Sequence, residues 1–267
     1  MAQSPPIVVV FAASDPTAGA GLQADSLALA ALACHATTVL TALTVQDTHG
    51  VQRVQALEPE WVEQQAGALL AELPVAAFKI GVLGSAANAA AVARILKTHP
   101  DVPVVFDPVL ASGRGDSFAA PEVLAAMREL LVPLTTVLTP NSQEARQLAG
   151  SAEGADLAES ARRLAGMGAR YVLVSGTHEP TPAVVNTLYD ASGVVREDRW
   201  PRLAGRYHGS GCTLASAIAA QLARGMDVPS AVHAAQDYAW HALEAAFRPA
   251  SGQWIPDRLY GWRGRAQ

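Results

Sequence analysis

The sequence predicts an α/β fold: a central, mostly parallel sheet flanked by helices on both faces. Three observations predict it. Short apolar runs alternate with longer helical patterns along the whole chain, the runs are β-branched or continuously apolar, and no linker, repeat or composition shift breaks the alternation. The predicted strands are Ile7 to Ala13, Thr38 to Thr44, Ala77 to Val82, Val104 to Phe106, Thr136 to Leu138 and Tyr171 to Val174. Between them, apolar residues three and four apart predict helices over Leu22 to Ala33, Pro59 to Leu73, Ala86 to Lys97, Pro121 to Leu131 and Ala155 to Met167. Two of these open on Pro, which suits a first helical position. Thr187 to Asp190 and Val194 to Trp200 flank Ala-Ser-Gly and read as a hairpin. Helices over Thr213 to Arg224 and Pro229 to Phe247 close the fold, and an irregular tail after Arg248 covers the core. Residues 1–267 are expected to form one domain.

Composition narrows the function. With 50% hydrophobic and 16% charged residues, the 267-residue chain is a globular protein and not a disordered one. Its 19 basic and 24 acidic side chains leave a net charge of −5, so no basic field is expected to hold nucleic acid or an anionic membrane. The two cysteines, Cys34 and Cys212, form no CxxC or Cys/His cluster, which argues against zinc and for a reducing compartment. The start MAQSPPIVVVFAASD lacks a basic region and a run long enough to span a membrane. A cytoplasmic enzyme acting on small molecules is the expectation.

In an open parallel sheet, ligands bind beyond the carboxyl ends of the strands. Here successive strands end in Ala13-Ser-Asp-Pro-Thr-Ala-Gly-Ala-Gly, Val45-Gln-Asp-Thr-His-Gly, Gly81-Val-Leu-Gly, Asp107-Pro-Val, Thr139-Pro-Asn and Ser175-Gly-Thr-His. Each alone is an ordinary turn sequence. Together they would line one crevice. The most informative segment is His208-Gly-Ser-Gly-Cys-Thr-Leu, a Gly-rich turn running into an Ala-rich helix. Close-approaching backbone N–H groups and the positive helix end would suit an anion, although a short Gly-x-Gly reads equally as an ordinary glycine turn. It is neither a Walker loop, since no Gly-Lys-Ser/Thr follows, nor a dinucleotide fingerprint, since it comes late in the chain. Cys212 sits in the first turn, where the dipole favours a thiolate. It reads equally as a nucleophile or base and as a small residue packed between helix and sheet. Cys34 reads as core, and the seven histidines, His208 included, show no ligand spacing. Lys79 and Arg114 lie near strand ends and read either as cations for an anionic ligand or as solvated surface charges.

Ala13 to Asp25, Thr41-Ala-Leu-Thr-Val-Gln-Asp-Thr, Lys79-Ile-Gly-Val-Leu-Gly, Val105-Phe-Asp-Pro-Val, Thr139-Pro-Asn-Ser-Gln-Glu-Ala and His208 to Leu214, in this order, resemble the hydroxymethylpyrimidine/phosphomethylpyrimidine kinases of thiamine biosynthesis. The likeness runs from about Ile7 to Phe247. It implies a single ribokinase-like domain, a homodimer, and an enzyme dependent on ATP and magnesium. Such an enzyme phosphorylates 4-amino-5-hydroxymethyl-2-methylpyrimidine and then its monophosphate. By motif, Asp25, Gln46 and Val82 would bind the pyrimidine. Gly209, Ser210 and Gly211 would form the anion hole, with Cys212 as the catalytic residue where related sugar kinases carry Asp. Asp107, Asn141 and Glu144 would serve nucleotide and magnesium, the metal held by Glu144 and waters. By residue type alone, Asp25 also reads as an exposed or capping carboxylate, Gln46 as a loop amide and Glu144 as a first-turn glutamate. The sequence departs from the family pattern at Ala13 and Ala18, where glycines are usual, and at Ser175, where Lys is usual. A pyridoxal kinase of the same superfamily, or a nucleotide- or vitamin-binding protein without turnover, are the alternatives.

Overall fold

The computed structural model describes residues 4–110 and 120–263. Nine strands form one sheet: β1 (Ile7–Ser14), β2 (His35–Asp47), β3 (Gly50–Ala56), β4 (Val75–Ile80), β5 (Val104–Phe106), β6 (Val137–Leu138), β7 (Tyr171–Ser175), β8 (Ala183–Asp190) and β9 (Gly193–Pro201). Their spatial order is β3-β2-β1-β4-β5-β6-β7-β8-β9. Pairings from β2 through β7 are parallel, and antiparallel strands close both edges. The helices are α1 (Gly21–Ala31), α2 (Pro59–Leu70), α3 (Ala86–Lys97), α4 (Pro121–Ala126), α5 (Ser142–Ala149), α6 (Leu157–Gly166), α7 (Ser210–Ala223), α8 (Val228–Glu244) and the short α9 (Tyr260–Arg263).

Strand β1 shows how the layers are built. Its residues alternate between faces, as pleating requires. Val8, Val10 and Ala12 pack with Leu29 of α1, Ile218 of α7 and Val232 of α8. Val9 and Phe11 face the other way, into a cluster that includes Val62 of α2, Val92 of α3 and Leu164 of α6. Burying each such side chain contributes about 1.5–3 kcal/mol, so the central strands hold both helical layers. Caps set the helix ends: the Ser85 hydroxyl accepts from Asn88 N–H at the start of α3, and Gly150, at φ +65°, ends α5 in the left-handed conformation.

Four elements, β2, β3, α5 and α4, differ from the sequence expectation. β2 runs 13 residues and pairs at its far end with β3, a strand not expected from the sequence. Most β3 side chains are half-buried or exposed, so no apolar run marks it. The eight-residue α5, implied only by the reading of Glu144 as a first-turn glutamate, was not among the helices read from periodicity, being short and opened by a capping box. The helix expected over Pro121 to Leu131 continues from α4 into a π turn at Met127–Leu131 and a 3₁₀ turn at Val132–Leu134, where Pro133 ends regular bonding.

The parallel ladder extends one step past the strand ends. Gly81 N–H donates to Phe11 O (2.8 Å), Asp107 N–H to Ile80 O (2.9 Å), Thr139 N–H to Phe106 O (2.9 Å) and Ser175 N–H to Pro140 O (3.0 Å). This staircase holds the residues after each strand in register along one edge. The strand order reverses between β1 and β4, which are parallel neighbours, so a crevice opens there.

Candidate active site

A cavity of about 1120 Å³ occupies that crevice. One end is lined by Asp15, Gln46, Lys79, Val82, Asp107 and Cys212, the other by Trp200, Trp240, Gln236, Asn186, Ser175 and His178. Between them lies the start of α7. Gly209 caps that helix at φ +77°, and a Cβ there would fall 1.9 Å from Gly19 O, so only glycine fits. The N–H groups of Ser210, Gly211 and Cys212 lead the helix with no acidic residue in its first turn, leaving a positive terminus at the cavity wall.

Four charged or ionisable groups meet beside that turn. The Lys79 ammonium, fully buried, donates to Asp25 Oδ2 at 2.8 Å. Burial works against its charge, but Asp25, Cys212 and Asp107 outweigh it and hold the proton more tightly than usual. Gly81 leaves the room: a Cβ there would lie 2.9 Å from Lys79 Nζ. Asp107 is pushed up to about 6 by burial, with Lys79 and the neighbouring Cys212 thiol opposing and Asp25 reinforcing the rise. Its Oδ2 is buried with no hydrogen-bond partner among the described residues. The Cys212 thiol is pushed up to about 12, by burial first and by the Asp107 and Asp25 charges, despite Lys79. The thiolate expected from the helix dipole is therefore corrected: the two neighbouring carboxylates and burial win, and Cys212 carries its proton at neutral pH.

Across the cavity, Asn141 and Glu144 form a capping box on α5. The Asn141 Oδ1 accepts from the N–H groups of Gln143 and Glu144, both at 2.9 Å, and Glu144 Oε2 accepts from Asn141 N–H at 2.9 Å. Glu144 Oε1 also accepts from Leu110 N–H at 3.3 Å. Burial, then repulsion from Asp107, raises Glu144 to about 8.

The model of the family described as phosphomethylpyrimidine kinase matches residues 15–256. The chain belongs to the phosphomethylpyrimidine kinase family. A hydroxymethylpyrimidine/phosphomethylpyrimidine kinase of Streptomyces coelicolor is 40% identical over 265 residues, 97% of this chain and 96% of that protein. Its counterpart in Rhizobium meliloti is 38% identical over 250 residues, 92% and 94% of the two. Among solved structures, an ADP complex of Bacillus subtilis pyridoxal kinase matches at a TM-score of 0.89 and 28% identity, covering 97% of this chain and all (100%) of that one. A phosphomethylpyrimidine kinase of Clostridium difficile matches at 0.78 and 29% identity, covering 89% and 99%. The fold is ribokinase-like and the chain is a kinase.

For this member of the phosphomethylpyrimidine kinase family, the structure brings Gln46, Val82, Asp107, Asn141, Glu144, Gly209, Ser210, Gly211 and Cys212 to one cavity. Asp25 is the exception. It is fully buried behind the wall, with Oδ2 on Lys79 and Oδ1 accepting from Ser216 at 2.7 Å, so it supports Lys79 and does not line the substrate pocket. Nor is it the exposed or capping carboxylate its residue type suggested. Lys79 is likewise no surface charge. Arg114 lies outside the described residues. Ala18, where the family favours glycine, adopts φ +56°, the conformation that explains the preference.

Two residues went unrecognised in the sequence. Asp15 is buried and accepts from Ala20 N–H (2.7 Å), Thr17 N–H (2.8 Å) and His208 Nε2 (2.7 Å). Burial opposes its charge, yet His208, Gln46 and Thr17 together hold it well below the usual carboxylate range. His208 precedes the Gly209 turn directly. Its place beside that motif was the available signal, outweighed by the lack of metal-ligand spacing among the histidines.

Proposed function

We propose that residues 1–267 act as one kinase domain that transfers the γ-phosphoryl group of ATP to the hydroxymethyl group of 4-amino-5-hydroxymethyl-2-methylpyrimidine, and then to the resulting monophosphate. Identity of 40% across nearly the whole chain to a kinase named for both substrates carries this reading. The site chemistry supports it. Gln46 lines the cavity beside Asp15, and its amide offers a paired donor and acceptor to a ring nitrogen and an exocyclic amine. Val82 offers the ring an apolar surface. At the far end, Trp200 and Trp240 stack with centroids 6.3 Å apart, which suits an adenine base.

Phosphoryl transfer depends mostly on positioning and charge neutralisation. The α7 N–H groups and Lys79 would face the phosphoryl oxygens. The acceptor hydroxyl would pass its proton to Cys212 Sγ as the thiol proton moves to Asp107, whose raised pKa of about 6 suits a carboxylate that gains a proton near neutral pH. The Glu144 carboxyl on the cavity wall fits a divalent cation. Magnesium would be held by Glu144 and waters, and when bound it neutralises phosphate charge. The same groups would tolerate the extra anion of the monophosphate substrate. Leu43 and Val45, exposed on the β2 end that projects beside the site, suit burial against a second copy, consistent with a homodimer. No helix among the described residues is long and apolar enough to cross a membrane, and the two uncrosslinked cysteines are consistent with a cytoplasmic enzyme.

The test is a reaction of the purified enzyme with ATP and the alcohol, the monophosphate or pyridoxal, followed by phosphorus NMR. Diphosphate from the monophosphate supports the reading. Phosphorylation of pyridoxal alone would overturn it in favour of the activity of its structural neighbour. Gln46→Leu should weaken acceptor binding by about 1–3 kcal/mol, because ligand polar atoms lose their partner, and leave ATP affinity unchanged. Equal losses for both ligands in calorimetry would remove Gln46 from the acceptor pocket.

A further inference from the structure

The chain after α8 crosses the site on the outside. Gln253 N–H donates to Thr48 O at the tip of the β2–β3 hairpin (2.8 Å), Trp254 N–H donates to Arg206 O (2.9 Å), and Trp254 O accepts from His208 N–H (2.8 Å). The strap ends at Arg258, only 3% exposed, whose own carbonyl accepts from the Tyr238 hydroxyl at 2.8 Å. The Arg258 guanidinium donates to Thr213 Oγ1 (3.0 Å), Ala18 O (3.3 Å), Gly19 O and Gly209 O (3.4 Å). Thr213 Oγ1 in turn donates to Gly209 O at 2.8 Å.

These acceptors belong to the two loops that build the phosphate end of the site. One follows β1 and carries Asp15; the other carries His208 and opens α7. They meet backbone against backbone, since a Cβ on Gly209 would lie 1.9 Å from Gly19 O and one on Gly19 would lie 2.2 Å from His208 Cδ2. Loops so close bring the carbonyls of Ala18, Gly19 and Gly209 together, and buried carbonyls need donors. A planar guanidinium, always charged, supplies several in fixed directions. An ammonium would supply three donors from one point and could not span the same acceptors.

We infer that Arg258 is the positioning residue of the phosphate turn: it locks Gly209 to the Ala18–Gly19 loop and so fixes both the leading N–H groups of α7 and the Asp15–His208 pair. Arg258 lies two residues beyond the span matched by the family model, 15–256, and touches none of the groups proposed to react. The inference rests on the phosphate-binding role of the α7 start, so its test includes a readout independent of catalysis.

Arg258→Lys is compared with the parent enzyme in three measurements: steady-state kinetics, circular dichroism, and the rate of Cys212 alkylation by iodoacetamide, followed by peptide mass spectrometry. Folding is expected to be retained. KM for ATP should rise at least about tenfold and kcat fall about tenfold, with acceptor KM changing far less, as a displaced anion site predicts. Cys212 should be alkylated several-fold faster, because its helix turn is no longer held. Thr213→Val, which removes one guanidinium acceptor at constant shape, should shift the same quantities in the same direction by a smaller amount, and it decides the matter should the lysine variant not fold. Kinetics and alkylation rates equal to the parent's in a folded variant, with only the melting temperature lowered, would overturn the inference and leave Arg258 a structural clasp. If the parent transfers no phosphoryl group at all, the functional reading fails while the alkylation rates still judge Arg258.

Discussion

Cys212→Ala is expected to lower turnover by roughly 10²–10⁴-fold while ATP affinity stays near that of the parent enzyme. The asymmetry follows from where each function resides. The anion turn is made of backbone N–H groups, which alanine preserves, whereas the path for the acceptor proton runs through sulfur. With its thiol raised to about 12, Cys212 cannot act as a standing thiolate base; it can relay a proton only because Asp107, at about 6, lies next to it to receive one. A second expectation separates this from a reactive-cysteine mechanism. Alkylation of Cys212 should be slow at neutral pH and rise by about tenfold per pH unit, with no plateau near pH 9, since the thiolate is the nucleophile and the thiol lies at about 12. Stopped-flow turnover and pH-dependent labelling check both. An alanine variant with full turnover would reduce Cys212 to packing between α7 and the sheet.

How much of this was legible in the sequence depended on what each residue's partner was. The parallel strands could be read because both faces of β1 and β4 are covered, which leaves continuous apolar runs. The crevice could be read because strand-end residues follow those runs directly. β3 escaped since an edge strand on a projecting hairpin buries little. Asp25 was misread, and Lys79 left between two readings, for a different reason. Their pairing spans 54 positions in sequence, and nothing local distinguishes a buried carboxylate on α1 from a surface one. The Cys212 thiol shows the same limit: the helix start predicts a lowered pKa, and the opposing carboxylates come from β5 and α1, far away in the chain. Arg258 sits in a tail whose irregular pattern carries no periodicity to read. Local chemistry was legible, and long-range electrostatics was not.

Glu144→Gln is expected to abolish most turnover and yet to stabilise the fold at alkaline pH. The ordinary glutamate value is 4.5, and the folded protein holds Glu144 at about 8, by burial first and the Asp107 charge second. Between those values the native state binds a proton that the unfolded chain has released, so stability falls as pH rises through this window and levels off above about 8. Asp107, raised from 3.8 to about 6, adds a slope of the same sign at lower pH. Glutamine removes the Glu144 contribution. It also keeps the capping box, since its amide oxygen accepts from Asn141 N–H as the carboxylate does, at the cost of the longer bond from Leu110 N–H. The variant should therefore melt higher than the parent at pH 8.5, with the difference closing towards pH 4.5. Turnover should fall by roughly 10²-fold or more, because a neutral amide offers no charge to a magnesium ion or to the phosphates it accompanies. Thermal unfolding across that pH range, beside kinetics at saturating ATP and magnesium, measures both. A variant that keeps its turnover and melts lower at every pH would place Glu144 in the α5 cap alone, and would remove the carboxylate on which the proposed metal site depends.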